Sequence, residues 1–339
     1  MSWINALLAQ NPLVSRLIEE TYTLESGGSL ELETQTGEVR IIASDRPDVS
    51  LSLRIEGRDT DQLNQISLEE KRFGSQVQLA TEWEDELTPA IALLSDLELT
   101  YTLEVPRDIT LAVSHGQGEL FLDGIFTGSL DLKMRQGLLQ ADSLMGEGNR
   151  IRSNFSKVDV AYIHEGEIQL QMGQLILDEA HRLELESLGA IVEIGMANQL
   201  TLMADLGDVQ VKEVGQITGQ YGAAQVRIER LGNSLDMEGK LAPALTIGSL
   251  GEDVSHLRLI GQATSIQLKD IRQPAVFLEV DEARFESTGL ETSEPYESPS
   301  ETGGGQNYRL APMTTGRSAP GTLKVMMPSQ GGSCEIRFQ

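Results

Sequence analysis

Four consecutive lines decide the fold: EIQLQMGQLILDEA (167–180), RLELESLGAIVEI (182–194), QLTLMADLGDVQVKEV (199–214) and QITGQYGAAQVRIERL (216–231). Within this stretch, Glu165 to Glu229, each line is an alternating apolar strand, a short break and a second alternating strand. The strand openers are Ile168, Leu183, Leu200 and Ile217, and the breaks carry Gly173, Gly189, Gly207 and Gly222. The period is roughly 17 residues, which is that of a solenoid repeat. Alternation such as Leu183-Glu184-Leu185-Glu186 has a two-residue period, so it reads as strand with one apolar face. A helix would need three- and four-residue spacings, which these lines lack.

A unit this short cannot bury its apolar face alone, so successive coils must stack and pair edge to edge. The rival is an up-and-down meander of hairpins. Two-residue hairpin turns favour Asn-Gly or Asp-Gly; three of the breaks read Met172-Gly173, Leu188-Gly189 and Tyr221-Gly222. The expected fold is therefore all-β, a β-solenoid (β-helix) of roughly ten coils. At about 4.8 Å per stacked strand, ten coils give a rod on the order of 50 Å long.

Working outward, residues 1–22 read as a short N-terminal amphipathic helix capping the core. Trp3, Ile4, Leu7, Leu8, Val14, Leu17 and Ile18 fall on one half of a helical wheel, and Asn11-Pro12 suits a helix restart. Residues 23–108 form an irregular β-rich entry section: SLELETQTGEVRIIA, VSLSLRIEG, a polar insertion from Arg58 to Arg72, SQVQLATEW and LELTYTLEVP. Residues 109–290 are the regular solenoid. Residues 291–322, rich in Ser, Pro, Gly and Glu, read as a flexible insertion. Residues 323–339 supply a final strand pair completing the solenoid.

Composition bounds the function. Asp and Glu total 52 against 26 Lys and Arg, a formal charge of −26. That field repels phosphate backbones and favours solubility and basic partners, so nucleic acid is not an expected ligand. Aromatics are only 4 %, and the apolar residues are chiefly Leu, Ile and Val, which suit a thin stacked interior. Cys334 is the sole cysteine, so no internal disulfide forms. The opening MSWINALLAQNPLV lacks a basic n-region with a continuous apolar core, and no run of 18 apolar residues exists. The expectation is a cytoplasmic protein with no transmembrane segment, cell-surface association being left open.

The order of motifs, SGGSLELETQTGEVRI, then YTLEVPRDITLAVSHGQGELFL with its Val105-Pro106 pivot, then strand–Gly–strand repeats and a closing GTLKVMMPSQGGSCEIRF, resembles the putative-adhesin domain family. These are bacterial β-strand repeat proteins of unknown function. The likeness spans roughly Leu24 to Phe338 without the Pro/Ser insertion. It implies a β-solenoid with no known enzymatic activity and hence no catalytic residues to carry over. The chain differs from secreted members in lacking an export signal.

Two side-chain groupings bear on chemistry. Of the four histidines His115, His164, His181 and His256, His164 and His181 lie about one period apart beside Glu165, Asp178 and Glu179. Such a cluster is a transition-metal candidate, or a solvated corner; the ligand spacing of known metal motifs is absent. Asp123, Asp142 and Asp178 each follow a break Gly by five residues. They read as a Ca²⁺-attracting ladder or as a solvated acidic edge that blocks sideways pairing. The Gly-x-Asp repeat of calcium-binding β-rolls is absent.

No GxSxG, HExxH, phosphate loop or Cys–His pairing occurs. The expectation is a non-catalytic, adhesin-like β-solenoid with no cofactor, no metal and no catalytic residue, presenting an acidic repeat surface to a protein or glycan partner. The alternatives are a polymerising cytoplasmic β-helical scaffold and a carbohydrate-active enzyme on a β-helix.

Overall fold

The computed structural model describes residues 13–24, 27–84, 96–240, 244–271, 276–281, 284–288, 290–294, 306–312, 321–327 and 332–338. Among the described residues the chain is all-β, 83 % strand with one short helix, and it forms a β-solenoid of about eight turns. It divides into two units, 1–151 and 152–339.

The first unit contains β1 (Val14–Thr23), β2 (Ser29–Ser44), β3 (Asp48–Gly57), α1 (Thr60–Asn64), β4 (Ile66–Phe73), β5 (Gln76–Trp83), β6 (Glu98–Pro106), β7 (Thr110–Phe126) and β8 (Leu130–Leu144); β9 (Asn149–Asn154) spans the boundary. Its rungs do not follow chain order. β2 pairs in parallel with β7 on one side, Val39 opposite Leu120, and with β5 and β6 on the other, Leu30 opposite Val77 and Val39 opposite Tyr101. β8 continues the parallel stack from β7. Beyond β5 and β6 the pairing turns antiparallel: β4 on β5, β3 on β6, and β1 on β3. Hence fewer coils than ten: strands read as successive coils in the entry section are interleaved or reversed.

The N-terminal capping helix does not form over the half of it that is described. Val14–Thr23 is instead a strand running antiparallel to β3, from Val14 opposite Gly57 to Thr23 opposite Asp48; residues 1–12 lie outside the described residues. The apolar spacing is helical, but the second half carries Ile18, Thr21, Tyr22 and Thr23, which favour strands. The unpaired edge of β3 also needs backbone partners, which a strand supplies and a helix does not. Arg16 then donates to the carbonyls of Leu63 and Ile66 at 3.1 and 2.8 Å, and Tyr22 is fully buried, while Leu17, assigned to the buried helix face, is 53 % exposed.

The second unit contains β10 (Ser156–Gln171), β11 (Gln174–Tyr221), β12 (Gln225–Lys240), β13 (Leu245–Leu250), β14 (His256–Gln262), β15 (Ser265–Ile271), β16 (Val276–Asp281), β17 (Arg284–Thr288), β18 (Leu290–Thr292), β19 (Gln306–Pro312), β20 (Gly321–Met326) and β21 (Gly332–Phe338). β11 is 48 residues of continuous extended chain. Straight, it would run about 160 Å at roughly 3.3 Å per residue. It coils instead, parallel to β10 at its start (Ile168 opposite Leu185) and to β12 at its end (Val209 opposite Val226).

The step between rungs is 17 residues, as in the Arg182–Gln199 and His181–Asn198 contacts. Inward columns follow it: Val158, Leu175, Val192, Val209 and Val226 in one, Val160, Leu177, Ile194, Val211 and Ile228 in the next, all buried. The sequence alignment of openers is thereby corrected, since Leu183 stands opposite Gly166 and Ile168 opposite Leu185.

Past β12 the stack continues in parallel through β13, β14 and β15. The closing strands then run the other way. β21 lies antiparallel between β14 and β16, and β20 antiparallel between β15 and β17. Within the stretch expected as a flexible insertion, β19 pairs antiparallel with β16 and β18, burying Leu310; 295–305 and 313–320 lie outside the described residues.

Candidate functional site

In the second unit each coil turns where the alternation fails. Between Leu177 and Ala180, and again between Ala180 and Leu183, two exposed residues stand together instead of one: Asp178-Glu179 and His181-Arg182. A third doublet, Leu188-Gly189, separates Ser187 from Ala190. The unit therefore has a broad edge, made by the first two doublets, and a tight edge at the third, which widens to four non-buried residues at 171–174 and 205–208.

The broad edge carries a groove of about 750 Å³. Two columns line it. One is Ala161, Asp178, Gly195, Lys212 and Glu229; the other is Tyr162, Glu179, Met196, Glu213 and Arg230. Each steps by one coil, with Tyr162 opposite Glu179 and Glu213 opposite Arg230, so the two columns cross five coils, and Ser249, opposite Arg230, lines the groove on the next. At about 4.8 Å per rung the columns span roughly 20 Å. Gly195 keeps it recessed, since a Cβ there would meet the Asp178 carbonyl oxygen at 2.4 Å.

The groove mixes both charges. Arg230 lies 3.9 Å from Glu213, and Gln210 donates to Glu229 at 3.0 Å. Asp178, Glu179 and Lys212 make no side-chain hydrogen bond or ion pair with the described residues and face solvent.

Beside the groove the structure brings His164 and His181 together as the spacing suggested, but flat on one another, ring centroids 5.0 Å apart and planes within 6°. Asn198 sits 3.0 Å from His181 Nδ1 and Tyr162 Oη 3.4 Å from His164 Nδ1, while Arg182 bridges Glu165 and Gln199 at 3.2 and 3.0 Å. A metal about 2 Å from each nitrogen needs lone pairs that converge; parallel stacked rings hold them side by side. Among the described residues no three His, Cys, Asp or Glu side chains are grouped to hold a metal ion.

The aspartates do not form one ladder. Asp123 pairs with Arg40 at 2.7 Å, and Asp142 accepts from the Gly124 N–H at 2.8 Å, where β7 and β8 slip register. Asp178 belongs to the groove. His115 is buried in the first unit, bonded through Nδ1 to Thr34 Oγ1 at 2.6 Å, and His256 is half-buried in β14.

Tyr162, Met196, Lys212 and Arg230 were not singled out from the sequence. The signal was present: three-residue gaps between apolar residues mark the doublets, and stepping each doublet by 17 gives both columns.

Among the described residues no helix is long and apolar enough to cross a membrane. No protein-family model and no curated protein sequence matches the chain. Three solved structures are similar to part of the chain. A putative adhesin from Bacteroides fragilis is 14 % identical, with TM-score 0.38, covering 75 % of this chain and 96 % of that one. A putative adhesin from Parabacteroides distasonis is 8 % identical, with TM-score 0.37 and the same two coverages. A putative cell adhesion protein from Clostridium sporogenes is 10 % identical, with TM-score 0.21, covering 65 % and 82 %.

Proposed function

We propose that this chain is a non-catalytic, adhesin-like β-solenoid whose acidic repeat surface holds an extended macromolecular partner along the broad edge of the second unit. One observation carries the reading: in-register columns bound a groove across five coils, where Asp178, Glu179 and Lys212 point at solvent with no partner in the described chain. Side chains at one-rung spacing meet a linear polymer repeatedly, and many weak contacts sum to affinity. With a formal charge of −26, the surface favours neutral or cationic partners over polyanions. Catalysis on a glycan would need two carboxyls facing each other across the cleft. Here Glu213 and Glu229 are engaged by neighbours, and the two free acids are adjacent on one rung.

The test compares the full chain with a triple variant, Asp178→Asn, Glu179→Gln and Lys212→Ala, on arrays of linear glycans and extended peptides. These positions are exposed, so melting stays unchanged. The reading requires one ligand class retained by the parent and weakened at least tenfold in the variant. Retention indifferent to the substitutions sinks it. Shortening of the retained ligand, abolished by Asp178→Asn, would make the chain an enzyme, and growth of scattering with concentration would make it a polymerising scaffold.

A further inference from the structure

The tight edge of the second unit breaks two rules at the same positions. Phe155, Met172, Gly189 and Leu206 occupy equivalent places one coil apart, and all four have left-handed backbone, with φ of 52°, 50°, 67° and 63°. Glycine or asparagine takes that conformation readily; a larger L-residue is strained by about 1–2 kcal/mol. Three of the four are nonetheless large and apolar, and they face solvent: Phe155 is 61 % exposed, Met172 and Leu206 52 % each. Leu188 and Ile191 widen the strip, also exposed. A Cβ built on Gly189 would lie 3.5 Å from Met172 Cγ, so side chains of adjacent rungs reach van der Waals contact along the edge. Strain and solvent exposure both argue for glycine or a polar residue here, and core packing does not explain the alternative.

The surround is acidic. Glu186, Asp205 and Asp208 flank the strip and face solvent, whereas the two nearby basic residues are held back, Lys157 paired with Asp159 at 3.4 Å and Arg152 half-buried and engaged. Asp205 also receives the Ala223 N–H at 3.4 Å, which fixes it beside Leu206. An apolar centre with a charged rim is the anatomy of a protein–protein contact. The formal charge of −26 opposes a second copy of this chain and an anionic lipid surface alike.

We propose that the tight edge is a docking ridge for a cationic amphipathic segment of another protein, apolar anchors seated on Phe155, Met172 and Leu206 and basic residues facing Glu186, Asp205 and Asp208. The ridge is distinct from the groove of the broad edge and stands or falls without it.

The test uses the full chain and a triple variant, Phe155→Asn, Met172→Asn and Leu206→Asn. Asparagine accepts the left-handed conformation, so the variant melts at the same temperature or higher. The probe is a fluorescent amphipathic peptide of leucine and lysine, read by anisotropy. The proposal expects saturable binding to the parent, weakened at least tenfold in the variant and by added salt. A leucine/glutamate peptide of the same pattern should stay unbound. No binding to the parent, equal binding to the variant, or equal binding of the acidic peptide each overturns it. So does a parent dimer that the variant converts to monomer in sedimentation, since a second copy would then cover the ridge. Stronger binding of the parent to phosphatidylglycerol vesicles than to the peptide would overturn it in favour of a membrane.

Discussion

Gly118 lies directly over the carbonyl of Gly37 on the neighbouring rung, so closely that a Cβ at Gly118 would stand 2.0 Å from that oxygen. Gly137 repeats the relation over Gly118, and the three glycines share φ of 114–131°, a region closed to other residues. Gly118→Ala should therefore cost about 3 kcal/mol or more, because backbone strain and collision act together. Gly74 has φ of 61° with nothing within 4 Å of its built Cβ, so Gly74→Ala should cost only about 1 kcal/mol. Denaturant melts of the two variants check the contrast; equal losses would remove the close approach from the account.

His115 gives the first unit a pH signature. Burial pushes its imidazole down to about 4. Since the folded value is depressed, the unfolded chain takes up the proton first. Stability is complete above the ordinary value of 6.5 and is lost as pH falls from there toward 4, on the order of 3 kcal/mol in full. Met134 occupies the same column one rung on, so His115→Met should fit. The parent should lose more stability than this variant between pH 7 and pH 4.5. Parallel pH profiles would contradict the assignment.

Ser187 sits in an inward column with Leu170, Ala204 and Tyr221, is 2 % exposed, and its Oγ has no hydrogen-bond partner among the described residues. A buried hydroxyl with nothing to bond pays its desolvation without return. Ser187→Ala should therefore leave stability unchanged or raise it by about 1 kcal/mol, read by thermal melting. A loss above that size would mean the hydroxyl is satisfied.

The period, the strands and the glycine breaks were legible because alternation is a local property of the sequence. The interleaving of β2 between β5/β6 and β7 was not, since apolar Val39 would match several strands equally and only packing over Gly37 and Leu99 selects among them. Val14–Thr23 misled because Val14, Leu17 and Ile18 continue the helical wheel begun by Trp3, Ile4, Leu7 and Leu8, while the deciding influence, the free edge of β3, lay some thirty residues away. The groove was hidden by a two-residue error in aligning Ile168 with Leu183, which scrambled the outward columns while leaving the inward pattern intact.

Cys334 reports on the reversed closing strands. It is 1 % exposed in β21, between Leu259 of β14 and Val280 of β16, and burial, with Glu335 beside it, pushes its thiol up to about 12. The thiol should resist an aromatic disulfide reagent in the native protein and react fully in denaturant. Fast native labelling would show that β21 is not seated between those strands.

The parallel stacking of 17-residue rungs is what places every column described above, and a cross-link tests it most directly. Glu167 stands opposite Glu184, both facing outward, at the roughly 4.8 Å rung spacing that a disulfide spans. With Cys334 replaced by Ala, Glu167→Cys with Glu184→Cys should oxidise readily to an intramolecular disulfide. Glu167→Cys with Thr201→Cys, two rungs apart at about 9.6 Å, should not. A failed first pair, or a second pair that bridges as readily, would contradict the stacked solenoid and leave a meander in its place.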